Sequence, residues 1–283
     1  MPQSSAPAFA VSSWSLHRRI GLAYPDSPAR PGTGKAEPTW GQGAVSILDL
    51  PADVKAHGFD RLEICHFHLA SRDPGYLGEM RSALARAGVT LQTLLIDDGD
   101  LSHPDVAVRE RDAAWIAAWI EAAAVLGASH ARVVAGKQPP SKLALDCSVG
   151  SLRALARRGK AAGIRIITEN WFDLTAGPTQ VHHILDRLEG EVGLLADTGN
   201  WSGPTKYSDL AAIFGRSERC HAKASFGDGL AMDREDYRRC IEAAKGAGYM
   251  GPFALIFDAA GDEWAGVEME REVVRAVIGD VRA

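Results

Sequence analysis

The chain has 283 residues, of which 46% are hydrophobic and 24% charged, as in an ordinary globular domain. Its formal net charge of -5 at pH 7 argues against a nucleic-acid partner, because phosphate binding needs a basic surface. No apolar run approaches the roughly 20 residues that span a bilayer, so no membrane partner is expected. Four cysteines without a CxxC pair and the lack of a recognisable signal peptide favour a cytoplasmic protein.

Short β-type runs alternate with longer segments of helical periodicity along the chain. In chain order, the predicted strands are FAVSSWS, RLEICHF, TLQTLLI, HARVVA, IRIITEN, VGLLAD, RCHAKAS and FALIFD. The clearest predicted helices are GEMRSALARAG, VRERDAAWIAAWIEAAAVLG, VGSLRALARRGKAAG and DREDYRRCIEAAKGAG. Glycines typical of helix C-caps precede several strands, at Gly58, Gly88, Gly127, Gly163 and Gly248.

Eight β-α units in strict alternation predict an α/β protein with a parallel sheet. A closed (β/α)8 TIM barrel, usually about 250 residues long, accounts for the whole chain, 1–283, as a single domain. A doubly wound open sheet is the alternative, and it lacks support because no Gly-x-Gly-x-x-Gly follows the first strand.

A Pro/Gly-rich insert, residues 23–43, follows the first strand. A loop of this length in a compact domain is usually functional or disordered. In a barrel it would lie above the C-terminal mouth, where it would act as a lid with Tyr24 and Trp40 as contacts. Trp115 and Trp119 are spaced i, i+4 in the third helix and are interpreted as packing residues.

Polar residues collect where the predicted strands end, the edge that forms the active-site mouth of a TIM barrel. They are His17, Glu63, His66, His68, Asp97, Asp98, Glu169, Asn170, Asp197, Asn200, His221, Lys223 and Asp258. Taken singly, such an Asp is more often a helix N-cap than a ligand.

Three of these residues, Glu169, Asp197 and His221, end consecutive strands and would converge on one side of the mouth. Two converging carboxylates repel each other, and a divalent cation removes that cost. Two carboxylates and an imidazole suit Mn2+, Mg2+, Co2+ or Zn2+, and the oxygen-rich set favours Mn2+ or Mg2+.

The motifs IITENW, GLLADTGNW, CHAKASFGD and GYMGPFALIFD stand in an order that resembles the xylose-isomerase-like TIM-barrel superfamily of sugar isomerases and epimerases. The resemblance covers nearly the whole chain. It implies a divalent metal held by Glu169, Asp197 and His221.

The resemblance breaks at the fourth ligand, a Glu that the family carries on its last barrel strand in a pattern like Gly-Pro-x-x-x-Glu. Counting from Gly251 and Pro252, that position is Ile256 here. Asp258 faces the same side of the strand but lies roughly 6–7 Å further along. It would reach the metal only through a bulge or a water; otherwise the fourth ligand is lost or supplied elsewhere.

This departure leaves the proton-transfer chemistry open. The family's epimerases are thought to use two carboxylates on opposite faces of the substrate, which Ile256 would leave incomplete. Glu169 could instead work with Lys223, His17, His66 or His68, in a one-sided isomerisation or a β-elimination. Lys223 could equally form only a salt bridge, with Asp197, Asp228 or Asp258.

The predicted substrate is an unphosphorylated keto- or aldo-sugar or a cyclitol, because no phosphate-cradling Gly loop is present. The predicted substrate-binding residues are Trp14, Glu63, His68, Asn170, Trp171, Asn200 and Trp201. Tryptophans at strand ends often cover sugar rings, although about half of such residues would simply cap the barrel.

Four functions are compatible with these residues. The first is a metal-dependent sugar or polyol isomerase or epimerase that works through an enediolate. The second is a lyase or dehydratase acting on a keto-sugar or keto-inositol, and the third is a metal-free, non-catalytic sugar-binding barrel, which Ile256 favours. An apurinic-site endonuclease is disfavoured, because those enzymes bind several zinc ions with more histidines. The family resemblance also makes a homodimer possible.

Overall fold

The computed structural model describes residues 7–32 and 34–279, so the ends of the predicted domain and residue 33 of the insert lie outside the described residues. Its strands are β1 Phe9–Ser12, β2 Arg61–Cys65, β3 Thr90–Ile96, β4 His130–Val133, β5 Arg165–Glu169, β6 Gly193–Asp197, β7 Ser217–Ala222, β8 Phe226–Gly227, β9 Ala231–Met232 and β10 Phe253–Leu255. Its α-helices are α1 His17–Ile20, α2 Leu50–Ala56, α3 Pro74–Ala87, α4 Val106–Leu126, α5 Lys142–Ala161, α6 Pro178–Leu188, α7 Lys206–Phe214, α8 Arg234–Gly246 and α9 Glu263–Ile278.

Parallel strand pairs run around the molecule in the order β1-β10-β7-β6-β5-β4-β3-β2 and close into a barrel, with β10 as the eighth barrel strand. Strands β8 and β9 form a separate two-stranded hairpin after β7. Helices connect the barrel strands and pack against one another around it. The prediction of a single-domain (β/α)8 TIM barrel is confirmed.

Strands β1 and β10 are shorter than the apolar runs that predict them, because serine hydroxyls form hydrogen bonds with backbone groups at their ends. After Ser12 the chain turns into a 3-10 helix, and the Ser12 hydroxyl accepts a hydrogen bond from the Trp14 amide at 3.1 Å. At the end of β10 the Ser15 hydroxyl donates to the Leu255 carbonyl and accepts from the Phe257 amide. Ile256 and Asp258 therefore lie just beyond β10, at the mouth.

Helix ends follow the predicted glycines. Gly88 and Gly127 close α3 and α4 in the left-handed conformation, with φ of 65° and 80°, which an L side chain adopts only at a cost. Each closure turns the chain directly into the next strand and so fixes where that strand enters the barrel.

The main apolar core lies between the barrel and the surrounding helices, where Trp119, Phe214 and Tyr237 are fully buried. A small separate cluster consists of Ala10, Ala254 and Ile256, with Trp14 packed against it. Among the described residues, no helix combines the length and the apolar character needed to cross a bilayer.

The insert is fastened to α4 through one carboxylate. Asp26 accepts hydrogen bonds from the indole nitrogens of Trp115 at 2.9 Å and Trp119 at 3.0 Å. Both tryptophans are buried, so they pack as predicted and also anchor the insert. Backbone pairing of Ala23 with Glu37 closes the insert on itself.

We expect Asp26→Ala to loosen the insert while the barrel stays folded. The substitution leaves two buried indole N–H groups without an acceptor, and each unsatisfied donor costs about 1–3 kcal/mol. Limited proteolysis should cleave the insert faster, and thermal unfolding should begin at a lower temperature. Asp60→Ala, which removes an exposed carboxylate elsewhere, is the control. Unchanged cleavage of the insert in Asp26→Ala would contradict the anchoring role.

Candidate metal and substrate site

The three predicted ligands converge at the mouth of the barrel. Glu169 ends β5, Asp197 ends β6, and His221 pairs with Asp197 across β6 and β7. The Nδ1 atom of His221 lies 3.7 Å from Glu169 Oε1 and 3.6 Å from Asp197 Oδ2. One ligand atom from each residue falls within 4.8 Å of the others, and all three side chains are buried. This is a geometry into which one metal ion fits.

A hydrogen bond to Glu63, inside the barrel, orients the His221 imidazole. Glu63 Oε2 lies 2.9 Å from His221 Nε2, and Thr93 Oγ1 donates to Glu63 Oε1 at 2.7 Å. A carboxylate on the far ring nitrogen is the usual support of a metal-binding histidine, because it fixes the ring and leaves the other nitrogen free for the ion. Glu63, predicted to bind substrate, is instead fully buried beneath His221.

Two asparagines fix the two acidic residues, one through the backbone and one through the carboxylate. Asn170 forms a two-way pair with the backbone of Asp197, donating to its carbonyl at 3.1 Å and accepting from its amide at 2.7 Å. Asn200 donates from Nδ2 to Glu169 Oε1 at 2.8 Å. Asp197 Oδ1 also accepts the Gly199 amide, which turns Oδ2 toward His221.

Arg132 on β4 is a cavity residue that the sequence analysis missed. Its Nε lies 3.0 Å from Glu169 Oε2, yet neither atom makes a hydrogen bond. Its Nη2 donates to Asp97, and its guanidinium lies 5.0 Å from the centre of the Trp171 ring. Burial opposes ionisation of Asp97, but the Arg132 charge outweighs it and lowers the pKa of that carboxyl. In the sequence, the indication of this role is a single arginine inside the apolar run HARVVA.

Charge around His221 is unbalanced. Its imidazole is surrounded by the carboxylates of Glu63, Glu169 and Asp197. Burial disfavours the imidazolium, but hydrogen bonds to these carboxylates raise the pKa of His221 well above its ordinary value. The Glu169 Oε2 atom is buried without a hydrogen bond from any described residue. A divalent cation between Glu169 and Asp197 would offset the repulsion of their carboxylates.

The eighth barrel strand contributes no ligand to this group. Ile256 is 4% exposed and lies in the apolar cluster with Trp14. Asp258 Oδ2 accepts a hydrogen bond from Lys223 Nζ at 2.8 Å. Burial opposes protonation of Lys223, but Asp197 and Asp258 raise its pKa, so the side chain is an ammonium ion. The predicted alternative of a Lys223–Asp258 salt bridge is therefore present.

The site opens into a cavity of about 300 Å³. Its lining includes eight of the predicted site residues: Trp14, Glu169, Trp171, Asp197, Asn200, His221, Lys223 and Asp258. Phe67, Asp97, Arg132 and Ile256 also line it. Aromatic walls with a few converging polar groups are typical of sites for small molecules.

The other predicted residues lie behind this lining. The His17 ring stacks on Trp14 at 4.5 Å, and Trp201 donates its indole N–H to the Thr175 carbonyl at 3.0 Å. His66 accepts from the Asp97 amide at 3.3 Å. Burial and the neighbouring His17 lower the pKa of His68 to about 3. These side chains support the wall of the cavity rather than facing its interior.

We expect Glu169→Ala and Asp197→Ala to lose bound metal. The parent chain should retain about one divalent ion when purified without chelator, because three ligand groups converge at one point. Mass spectrometry of bound metal and thermal-shift titration with Mn2+, Mg2+, Co2+ and Zn2+ measure this. Asp258→Ala is the control, since its carboxylate is paired with Lys223. Equal metal content in Asp197→Ala and the parent would contradict the ligand assignment.

We also expect metal binding at pH 7 to release about one proton, because a ligating imidazole must be neutral and His221 has a raised pKa. Metal affinity should therefore rise with pH until His221 is neutral in the free protein. Calorimetry in two buffers of different ionisation enthalpy counts the protons. Glu63→Gln keeps the shape but removes a charge beside His221, so fewer protons should be released. The same proton count in Glu63→Gln and the parent would contradict this.

The comparisons with known proteins agree with this architecture. The xylose isomerase-like TIM barrel family matches residues 51–276. A xylose isomerase-like TIM barrel protein from Mycobacterium smegmatis, solved in complex with magnesium, is 18% identical, with a TM-score of 0.67 over 98% of this chain and 99% of that chain.

Two epimerases share the fold as well. D-allulose 3-epimerase from Methylomonas sp. is 15% identical, with a TM-score of 0.70 over 98% of this chain and 100% of that chain. 3-Keto-D-glucoside 4-epimerase from E. coli is 17% identical, with a TM-score of 0.63 over 82% and 94%. No curated protein matches the sequence significantly. Because the family model matches most of this chain, residues 51–276, the chain belongs to the xylose isomerase-like TIM barrel family.

Proposed function

We propose that this chain is a divalent-metal-dependent isomerase or epimerase of an unphosphorylated keto- or aldo-sugar or a cyclitol. One observation carries the proposal: Glu169, Asp197 and His221 present converging ligand atoms in a buried site that holds more carboxylates than cations. The epimerases that share the fold, and the magnesium in one relative, support it. Free cysteines among the described residues support the proposed cytoplasmic location.

The donor set suits Mn2+ or Mg2+, because two of its three ligands are carboxylate oxygens. A divalent ion held there would polarise a substrate carbonyl and an adjacent hydroxyl, which lowers the barrier to an enediolate. The protein side chains position this chemistry. Asn200 fixes one oxygen of Glu169, and the hydrogen bond that His221 donates to Glu63 keeps the imidazole in place.

Proton transfer is assigned to two side chains of the cavity. Glu169 is the base for the carbon-bound proton beside the carbonyl, and the Lys223 ammonium donates a proton to a substrate oxygen. His17, His66 and His68 do not line the cavity, so no proton transfer is assigned to them. Trp14 and Trp171 offer flat apolar surfaces for the C–H faces of a sugar ring.

Ile256 favours isomerisation over two-base epimerisation within this proposal. Its hydrocarbon side chain has no acidic or basic group, and the nearest carboxylate beyond it, Asp258, is already bonded to Lys223. A single base that moves a proton between neighbouring carbons on one face is sufficient for aldose–ketose interconversion.

A second candidate is a lyase or dehydratase. The Lys223 ammonium favours it, because an acid next to the cavity would protonate a leaving hydroxyl after Glu169 removes the neighbouring proton. The site uses the same residues in both reactions. Whether the product keeps or loses a water therefore decides between them.

We expect the metal-loaded protein to exchange the proton beside the carbonyl of its sugar substrate with solvent deuterium. Ketoses, aldoses and keto-inositols incubated in D2O are analysed by NMR and mass spectrometry for exchange, isomerisation and loss of water. Glu169→Gln should slow exchange by about 10²–10⁴-fold. Glu191→Gln, at an exposed glutamate, is the control. No exchange with any sugar, although metal is bound, would contradict an enzyme of this kind and leave a binding protein.

A further inference from the structure

Phe172, directly after the cavity residue Trp171, has a backbone conformation that side chains rarely adopt. Its φ is 62° and its ψ is 175°, a region that is occupied essentially only by glycine because a Cβ atom there clashes with the backbone. In the described part of the chain, Glu189 and Leu230 also combine a side chain with a positive φ. Glu189 has the ordinary left-handed geometry of a helix end, at the close of α6. A glycine at position 172 would remove the strain, so contacts of the phenylalanine side chain must compensate for it.

Those contacts fix the indole of Trp171. The centres of the Phe172 and Trp171 rings lie 4.3 Å apart with 27° between their planes, which is a stacked pair. Lys137 Nζ lies 5.3 Å from the centre of the Phe172 ring and is itself bonded to Asp98. The Trp171 ring also contacts the Arg132 guanidinium and lines the cavity of the candidate site. The Phe172 ring therefore joins the turn after β5 to the loop after β4 and packs against a wall of the cavity.

Hydrogen bonds hold the backbone on both sides of the strained residue. The Trp171 amide donates to the Glu169 carbonyl at 2.9 Å and to the Thr175 hydroxyl at 2.8 Å. That hydroxyl donates to the Trp171 carbonyl at 2.7 Å, and the Thr175 amide donates to the Phe172 carbonyl at 3.2 Å. A strained conformation persists only where the surrounding structure determines it in this way. The turn starts at Glu169, so the strain lies next to a candidate metal ligand.

We propose that Phe172 is a positioning residue for Trp171. The strained backbone directs the Phe172 ring onto the indole, and the indole is thereby held as a fixed wall of the candidate site. A wall that is ordered before binding loses less entropy when a ligand packs against it. Phe172 therefore strengthens the binding of a sugar ring without touching it. This last consequence rests on the proposed function, whereas the effect of Phe172 on Trp171 does not.

The first test measures the indole itself. Fluorine-19 NMR of protein labelled with 5-fluorotryptophan reports on all seven tryptophans, and Trp171→Phe identifies the signal of Trp171 by its loss. Phe172→Ala should shift or broaden that signal, whereas Phe172→Tyr, which keeps an aromatic ring, should restore it. Phe172→Gly should melt about 2 °C or more above Phe172→Ala, because both lack the ring and only glycine relieves the backbone. Glu189→Gly relieves a positive φ at an exposed, distant residue and should leave the Trp171 signal unchanged.

The second test measures the consequence for binding. Deuterium exchange in D2O with saturating Mn2+ uses D-fructose, D-glucose and 2-keto-myo-inositol as probes. For a probe that exchanges, Phe172→Ala should raise KM by about two- to tenfold, the range expected from losing one aromatic stack, and should change kcat by less than about twofold. In a Trp171→Ala background the same substitution should have no further effect on KM, because Phe172 acts through that indole.

The possible failures are distinguishable. An unchanged Trp171 signal in Phe172→Ala, or a Phe172→Gly variant that melts no higher than Phe172→Ala, would overturn the positioning role. If a probe exchanges and KM is unchanged in Phe172→Ala, or if the effects of Phe172→Ala and Trp171→Ala add, the role in binding is wrong while the proposed function survives. If no probe exchanges with metal-loaded parent protein, the role in sugar binding fails together with the proposed function, and the NMR result alone decides whether Phe172 fixes Trp171. Metal content measured on the same samples separates these results from a loss of folding.

Discussion

The hydrogen bond between Glu63 and His221 is the contact on which the candidate site depends. It joins β2 to β7 across the barrel, and Thr93 on β3 holds the carboxylate in turn. With Nε2 occupied, only Nδ1 of His221 can face the carboxylates of β5 and β6. A buried glutamate without a histidine partner would destabilise the fold, because its charge would be removed from water without compensation. The site is thus built through the barrel, not only on its rim.

The barrel itself was predictable, because it follows from a pattern repeated eight times along the chain. Alternating β-type and helical runs, separated by glycines such as Gly88 and Gly127, are local features that a sequence displays directly. The convergence of Glu169, Asp197 and His221 followed from strand order alone. The strand ends were less predictable: β1 and β10 stop early because the hydroxyls of Ser12 and Ser15 bind backbone groups, which periodicity does not reveal.

Residue roles that depend on contacts across the barrel could not be predicted from the sequence. Glu63 lies inside β2 and was predicted to bind substrate, and only its position under His221 shows that it supports the imidazole. Arg132 was overlooked, because one arginine in an apolar strand gives no hint that Asp97 and Glu169 lie on neighbouring strands beside it. Asp26 likewise reads as a loop residue until two indoles, 89 and 93 positions away, are found bonded to it.

Asp97 connects residues of the candidate site with residues that contact the insert. It is bonded to Arg132, which lies against Glu169 in the cavity of the candidate site, and its backbone amide donates to His66. Asp97 is therefore held from two sides, through its side chain by Arg132 and through its backbone by His66. His66 is also bonded to the Asp26 carbonyl, so hydrogen bonds join the insert to the wall of the candidate site.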